Sequence, residues 1–356
     1  MVGELLRNFS YSPRLITRHQ ELRALKELTN ITKNAILPLI LFAPLANTKT
    51  IEFTSSRITR ALGDRPFLFG LDSSYQRSES MESVFYDHMQ LFSPLLGFQH
   101  YFDLVKSTSR GIPMWQDCPS NLVATQQAER IHDLDRGFFL HIKYGSNFPA
   151  IEMMKPLLDT GIYPIVVIDA DWDAFLGLRE VWCLETMLRV HRAINTTEFI
   201  VTGSSFPNAF ANFKARQETP IRERFLYEQL KRQSNEFWIL YGDWGSTRPR
   251  STERAGVPVP RIDLAGNLNW VSFRRASANL PENYKQLADR AVQDVTFSSL
   301  KGTWGHDAIV RTSLEMAGAI SGAQSATAVR INLHIERSAG KILESDSTPI
   351  IEDYVE

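Results

Sequence analysis

Short apolar runs recur along the chain, each ending abruptly in polar or charged residues and each followed by a stretch with helical spacing. The sharpest is IYPIVVIDADW at 162–172, apolar from Pro164 to Ile168 and then closed by Asp169 and Asp171 with one alanine between them. A half-buried strand alternates polar and apolar side chains. A continuous apolar run of this length predicts a parallel strand covered on both faces. Seven counterparts follow the same design: 36–44 (ILPLILFAP), 67–74 (FLFGLDSS), 112–118 (IPMWQDC), 137–146 (GFFLHIKYGS), 198–205 (EFIVTGSS), 236–246 (EFWILYGDWGS) and 267–274 (NLNWVSFR).

The intervening stretches carry helix signals. Gly63 stops a helix over 51–62, and Ser120 caps one running to about Asp135. A long helical region at 81–106 is interrupted near Ser93-Pro94, and Gly161 follows a helix over 149–160. Further helices are predicted over 175–193 and within 207–234. Eight strands alternating with helices predict an α/β fold, a (β/α)8 TIM-like barrel with a C-terminal helical/strand extension. An open doubly wound sheet is the alternative. That fold would normally carry a glycine-rich phosphate loop after an early strand, and the turn after 36–44 has no glycine.

Three segments result. Residues 1–35 form an extended piece and an amphipathic helix (Leu22, Ala24, Leu25, Leu28) packing on the barrel. Residues 36–300 form the barrel. Residues 301–356 complete the domain with a Gly-rich turn (KGTWGH), a helix over 307–319, an alternating strand over 329–336 (VRINLHIE) and a frayed acidic tail. In 356 residues, 39 Lys+Arg balance 40 Asp+Glu, so there is no strong bulk signal for nucleic acid or an anionic membrane; a local basic patch is a separate matter. Two cysteines make neither a disulfide scaffold nor a Cys-based zinc site. No apolar stretch reaches the roughly 20 residues that span a bilayer, and the start lacks the apolar core of a secretion signal. The expectation is a cytoplasmic protein without membrane contact.

In such a barrel the C-terminal strand ends share one mouth, where active sites lie. Those ends are Asp72, Asp117, Lys143, Asp169, Asp171, Ser204, Ser205, Asp243, Arg274 and Arg275. Residues i and i+2 of a strand face one side, so Asp169 and Asp171 are expected to point together into the mouth. With Asp72 and Asp243 they make a candidate oxygen-ligand set for Mg²⁺ or Mn²⁺; the bland alternative has Asp171 capping the next helix. Lys143 is a candidate for anion binding or a Schiff base, or for an internal ion pair. Ser204 and Ser205 resemble a phosphate-accepting turn at a helix start. The arginine-rich segment 248–261, with Arg248, Arg250, Arg254 and Arg261, joins Arg274 and Arg275 as a candidate phosphate clamp, beside Trp244 and Trp270. A solvated loop is the plain reading of that segment. The histidines form no metal-ligand spacing, and Walker, HExxH, GxSxG and GxGxxG motifs are absent.

Tyr11-x-Pro13, the Glu21-x-x-Ala24-Leu25 helix, ILPLI, Gly242-Asp243, GTWG and the later His334 together resemble the phage and prophage "beta protein" family. The resemblance implies a phage or mobile-element context, with a defence role among its readings, and assigns no reaction. Three functional readings follow. The first is a barrel binding a small phosphorylated or nucleotide-like ligand, acting as a metal-dependent phosphoric ester hydrolase with Asp169, Lys143 and Asp243 as catalytic groups. The second is a non-catalytic sensor that binds a protein partner from the same operon. The third is a Schiff-base lyase using Lys143.

Overall fold

The computed structural model describes residues 5–76, 82–210, 214–249, 259–274 and 283–341. Eight parallel strands run β1 (Ser12–Ile16), β2 (Leu39–Phe42), β3 (Phe67–Leu71), β4 (Gly111–Pro113), β5 (Phe139–Lys143), β6 (Ile165–Trp172), β7 (Glu198–Ser204) and β9 (Trp238–Asp243). Each pairs with the next in chain order except at β4–β5, and β9 returns to β1 through Ser12–Gly242 and Pro13–Asp243. A bridge from Met114 to Phe139 joins β4 to β5 and completes a (β/α)8-like barrel. The three remaining strands, β8 (Arg216–Pro220), β10 (Arg261–Ala265) and β11 (Asn269–Arg274), make a separate antiparallel sheet.

Both faces of the barrel wall are buried, which is why its strands read as unbroken apolar runs. Inward residues such as Leu39, Leu68, Ile112, Phe139, Val167, Ile200 and Leu240 form one apolar cluster, joined at its base by Leu6. Their outward neighbours, among them Phe69, Val166, Phe199 and Ile239, pack with the surrounding helices in a second. The local signals hold. Thr50 and Ser120 cap their helices, Gly63 ends Ile51–Leu62 with φ +65°, and the 81–106 region is two helices, Glu82–Gln90 and Gln99–Lys106.

Three expectations about elements are corrected. The barrel's first strand is SPRLI at Ser12–Ile16, ahead of the 36–44 run, and its eighth is the 236–246 run. NLNWVSFR therefore lies outside the barrel wall, as β11 of the small sheet. VRINLHIE is helical, within Ala323–Lys341. Its alternation misleads because the helix is wedged between two cores. Val329 and Leu333 face the core of the small sheet, while Ile331, Ile335 and Ala339 face the barrel's outer core. The intervening polar residues Arg330, Asn332 and His334 are buried too, each with its own partner.

No described helix is long and apolar enough to cross a membrane. Arg250, Arg254, Arg275 and the acidic tail lie outside the described residues.

Candidate functional site at the barrel mouth

Strand alternation carries the inward column upward from apolar to polar. Val167 is followed on the same face by Asp169, Phe139 by His141 and Lys143, and Ile200 by Thr202. Asp169 is completely buried. Its Oδ1 accepts from Trp244 Nε1 at 3.0 Å and from the Asp171 amide at 2.9 Å. Its Oδ2 faces His141 Nε2 at 3.2 Å and Arg14 Nε at 3.5 Å. Burial alone would raise this carboxyl's pKa. The His141 hydrogen bond, the charge of Arg14 and the Trp244 indole N–H outweigh it and hold the group at about 2.

Arg14 comes from β1, the strand hidden within the leading YSPRLI. Its guanidinium lies 3.7 Å above the Trp244 ring, and its side chain is 7% exposed. Nε and Nη1 are buried without a hydrogen-bond partner, and the buried Thr202 Oγ1 is likewise unpartnered. Sequence reasoning missed Arg14, His141 and Thr202. The parity of their strands was the available signal: His141 is two residues before Lys143, and Thr202 two before Ser204.

Asp171 departs from the strand. Pairing of β6 with β7 shifts between Asp169 and Trp172, and Asp171 takes a left-handed φ of +62°. Its carboxylate meets Lys143 Nζ at 3.3 Å on the rim, where both side chains are partly exposed. The turn into the next helix is held by Asp173 instead, which accepts from the Phe175 amide and pairs with Arg179 at 2.8 Å. Asp72 is buried past the end of β3 and accepts from the Ser74 amide and hydroxyl.

The two serines are engaged internally. Ser204 Oγ donates to the Thr247 carbonyl at 2.6 Å, tying the exit of β7 to that of β9. The Ser205 amide and hydroxyl both donate to Glu223, and the helix bearing Glu223, Arg222–Gln233, begins only after β8. Arg248 is exposed and donates to the Asn208 carbonyl. Arg274 closes β11 opposite Arg261, on the small sheet and not on a barrel strand.

Asp243 belongs elsewhere. It follows Ile239 and Tyr241 on the outward face of β9. Its Oδ1 accepts from the Tyr11 hydroxyl and, at 2.7 Å, the Gly245 amide. Its Oδ2 accepts from Tyr241 at 2.7 Å and from His334 Nε2 at 2.6 Å. Burial would raise its pKa, but the His334 charge and hydrogen bond, then the two tyrosines, hold it at about 2. Asp72, Asp169, Asp171 and Asp243 thus do not converge, and no group of three or more His, Cys, Asp or Glu fit to hold a metal occurs among the described residues. Two clefts, of about 390 and 340 Å³, lie between outer helices and contain none of the strand-end residues.

Gly242 alternates with Asp243 and so lies on the inward face of β9, while Tyr11 and His334 gather on Asp243's outer side. Gly242 is wedged so tightly that a Cβ would sit 2.8 Å from the Ser12 carbonyl oxygen. In GTWG, a Cβ on Gly305 would lie 2.6 Å from Leu333, and the Gly305 amide donates to Asn332, whose Nδ2 reaches the Ala24 carbonyl. Tyr-x-Pro, Gly-Asp, GTWG and His334 therefore join the first strand, the last barrel strand and the C-terminal helix. The family model described as "Beta protein" matches residues 11–340, from that tyrosine nearly to the end of that helix. This chain belongs to the beta protein family. It is also 23% identical to "Protein beta" of Enterobacteria phage P4 over 340 residues, covering 93% of each chain. No solved structure matches.

Proposed function

We propose that this beta protein family barrel binds a small phosphorylated or nucleotide-like ligand at its mouth, with Arg14 as the main anion-binding group. The observation that carries the reading is the state of that guanidinium. It is buried and held in place by Trp244 and Asp169, yet Nη1 has no acceptor and Nε meets only the Asp169 carboxylate, as an ion pair at 3.5 Å without a hydrogen bond. Buried donors in folded proteins are nearly always satisfied, so orphans at a barrel mouth are what an incoming anion would complete. A planar guanidinium suits the oxygens of a phosphate, and the unpartnered hydroxyl of Thr202, in register with Asp169 on the neighbouring strand, supplies a further donor. Asp169 is the positioning group: it fixes Arg14, His141 and Trp244 at once. Hydrolysis of a phosphoric ester would require a proton carrier as well, and we assign that part to His141, whose ring meets Asp169 at 3.2 Å as the base of a triad meets its acid. The phage origin of the relative supports a mobile-element setting.

Calorimetric titration with inorganic phosphate and with nucleoside mono-, di- and triphosphates tests the reading. Binding by the wild type is expected, with a loss of about ten-fold or more in Arg14→Lys, which keeps the charge but removes the fork. Failure of every phosphate compound to bind, or equal affinity in the variant, refutes it.

A further inference from the structure

At the junction of the barrel and the small sheet, arginines from four separate stretches of chain come together. Arg18 follows β1, Arg248 follows β9, Arg261 opens β10, and Arg330 sits on the helix Ala323–Lys341. Their carboxylate partners are two. Asp263 lies 2.8 Å from Arg261 and 3.3 Å from Arg330, and Glu21 lies 3.3 Å from Arg18. Among the described residues four cations thus face two anions. Arg330 is only 7% exposed, and its Nε has no partner. Two phenylalanines from the loop after β7 make a floor: Arg261 is 3.3 Å above Phe210 and Arg330 is 4.2 Å above Phe206.

The guanidinium groups lie close enough to act on one another's charge. Partial burial of its guanidinium, then the charges of Arg261 and Arg18, hold Arg248, itself at the surface, below the usual guanidinium range. Burial brings Arg330 down to about 10; Asp263 opposes this, while Arg261 and Arg248 add to it. Arg18 and Arg248 follow the C-terminal ends of β1 and β9, the end of the barrel at which Arg14 meets Trp244. Arg18 is four residues beyond Arg14, and Arg248 four beyond the Trp244 on which Arg14 lies, so the Cα atoms within each of these pairs are at most about 14 Å apart.

We propose that this junction is a second anion subsite, which takes a phosphoryl group of a polyphosphorylated ligand whose other end is held by Arg14. The inference rests on the binding reading above and narrows it from any phosphorylated compound to one with at least two anionic groups. Arginine forks in a partly enclosed, aromatic-floored setting match phosphate oxygens better than solvated surface charges do.

Tripolyphosphate and orthophosphate, titrated calorimetrically into the full chain, test it. Wild type is expected to bind tripolyphosphate at least ten-fold more tightly than orthophosphate. Arg248→Gln, at an exposed position that leaves the cores intact, is expected to weaken tripolyphosphate about ten-fold. Arg14→Lys, checked for native near-UV circular dichroism, separates the two ideas. Weakening in both variants supports both. Weakening in Arg248→Gln alone keeps the junction subsite and refutes the role of Arg14. Weakening in Arg14→Lys alone, or in neither, overturns the junction subsite.

Discussion

Asp169 and Asp243 are two buried aspartates at the ends of barrel strands, both held near pKa 2, and they stand on opposite sides of the wall. The outward one is saturated. Four donors, Tyr11, Tyr241, His334 and the Gly245 amide, fill its two oxygens, and the residues around it are sealed from solvent. The inward one is also well supplied, but a neighbour it holds, Arg14, retains in Nη1 a buried donor with nothing to bind. Similar acidity therefore marks two different roles. A satisfied buried carboxylate fastens elements together, whereas a carboxylate that positions an unsatisfied cation prepares a site.

The difference can be broken most forcefully at Asp243. Asp243→Ala strands three side-chain donors and separates the C-terminal helix from the first strand. It is expected to cost about 3–5 kcal/mol in urea unfolding, the usual range when one partner of a buried charged pair is removed. A loss below about 1 kcal/mol would mean that the fastening lies elsewhere.

Acid is a second, smaller lever. Both carboxyls have native pKa values below the ordinary aspartate value of about 3.9, so the folded state binds fewer protons than the unfolded chain. Their stabilisation is fully present above about pH 4 and is lost as pH falls through about 2. Urea midpoints measured from pH 5 to pH 2.5 should fall in the wild type and fall less in Asp169→Asn. Parallel curves would assign the acid response to other groups.

The mildest test concerns the rim. Lys143 and Asp171 form a partly exposed pair, and such pairs contribute little. Lys143→Gln is expected to change stability by less than about 0.5 kcal/mol, so any larger effect on phosphate affinity would place Lys143 in the site. A large stability loss would instead show a rim as tightly built as the Asp243 cluster.

The barrel was legible because of a local property: a strand buried on both faces cannot alternate, and seven of the eight wall strands announce themselves this way. The eighth, SPRLI, was obscured by a proline and by Arg14, a charge in the middle of a short strand. The same arginine is the main candidate for the site. Its placement breaks the pattern because its partners, Asp169 and Trp244, arrive from distant strands and make the buried charge tolerable. The family motifs were also legible, yet they lead to the Asp243 side of the wall and not to the mouth.

The sequence alone determined the alternating α/β order, most helix caps and stops, and the polar character of the strand ends, because propensity and burial period are written into neighbouring residues. Which face each end presents was settled only in three dimensions. Asp243 is directed outward by strand parity, Asp171 is turned by a bulge, Ser205 is taken up by Glu223, and VRINLHIE becomes a helix because two cores flank it. The last three of these outcomes depend on partners far away along the chain, and no local pattern encodes them; the parity of Asp243 is local, but which face of β9 lies inward is not.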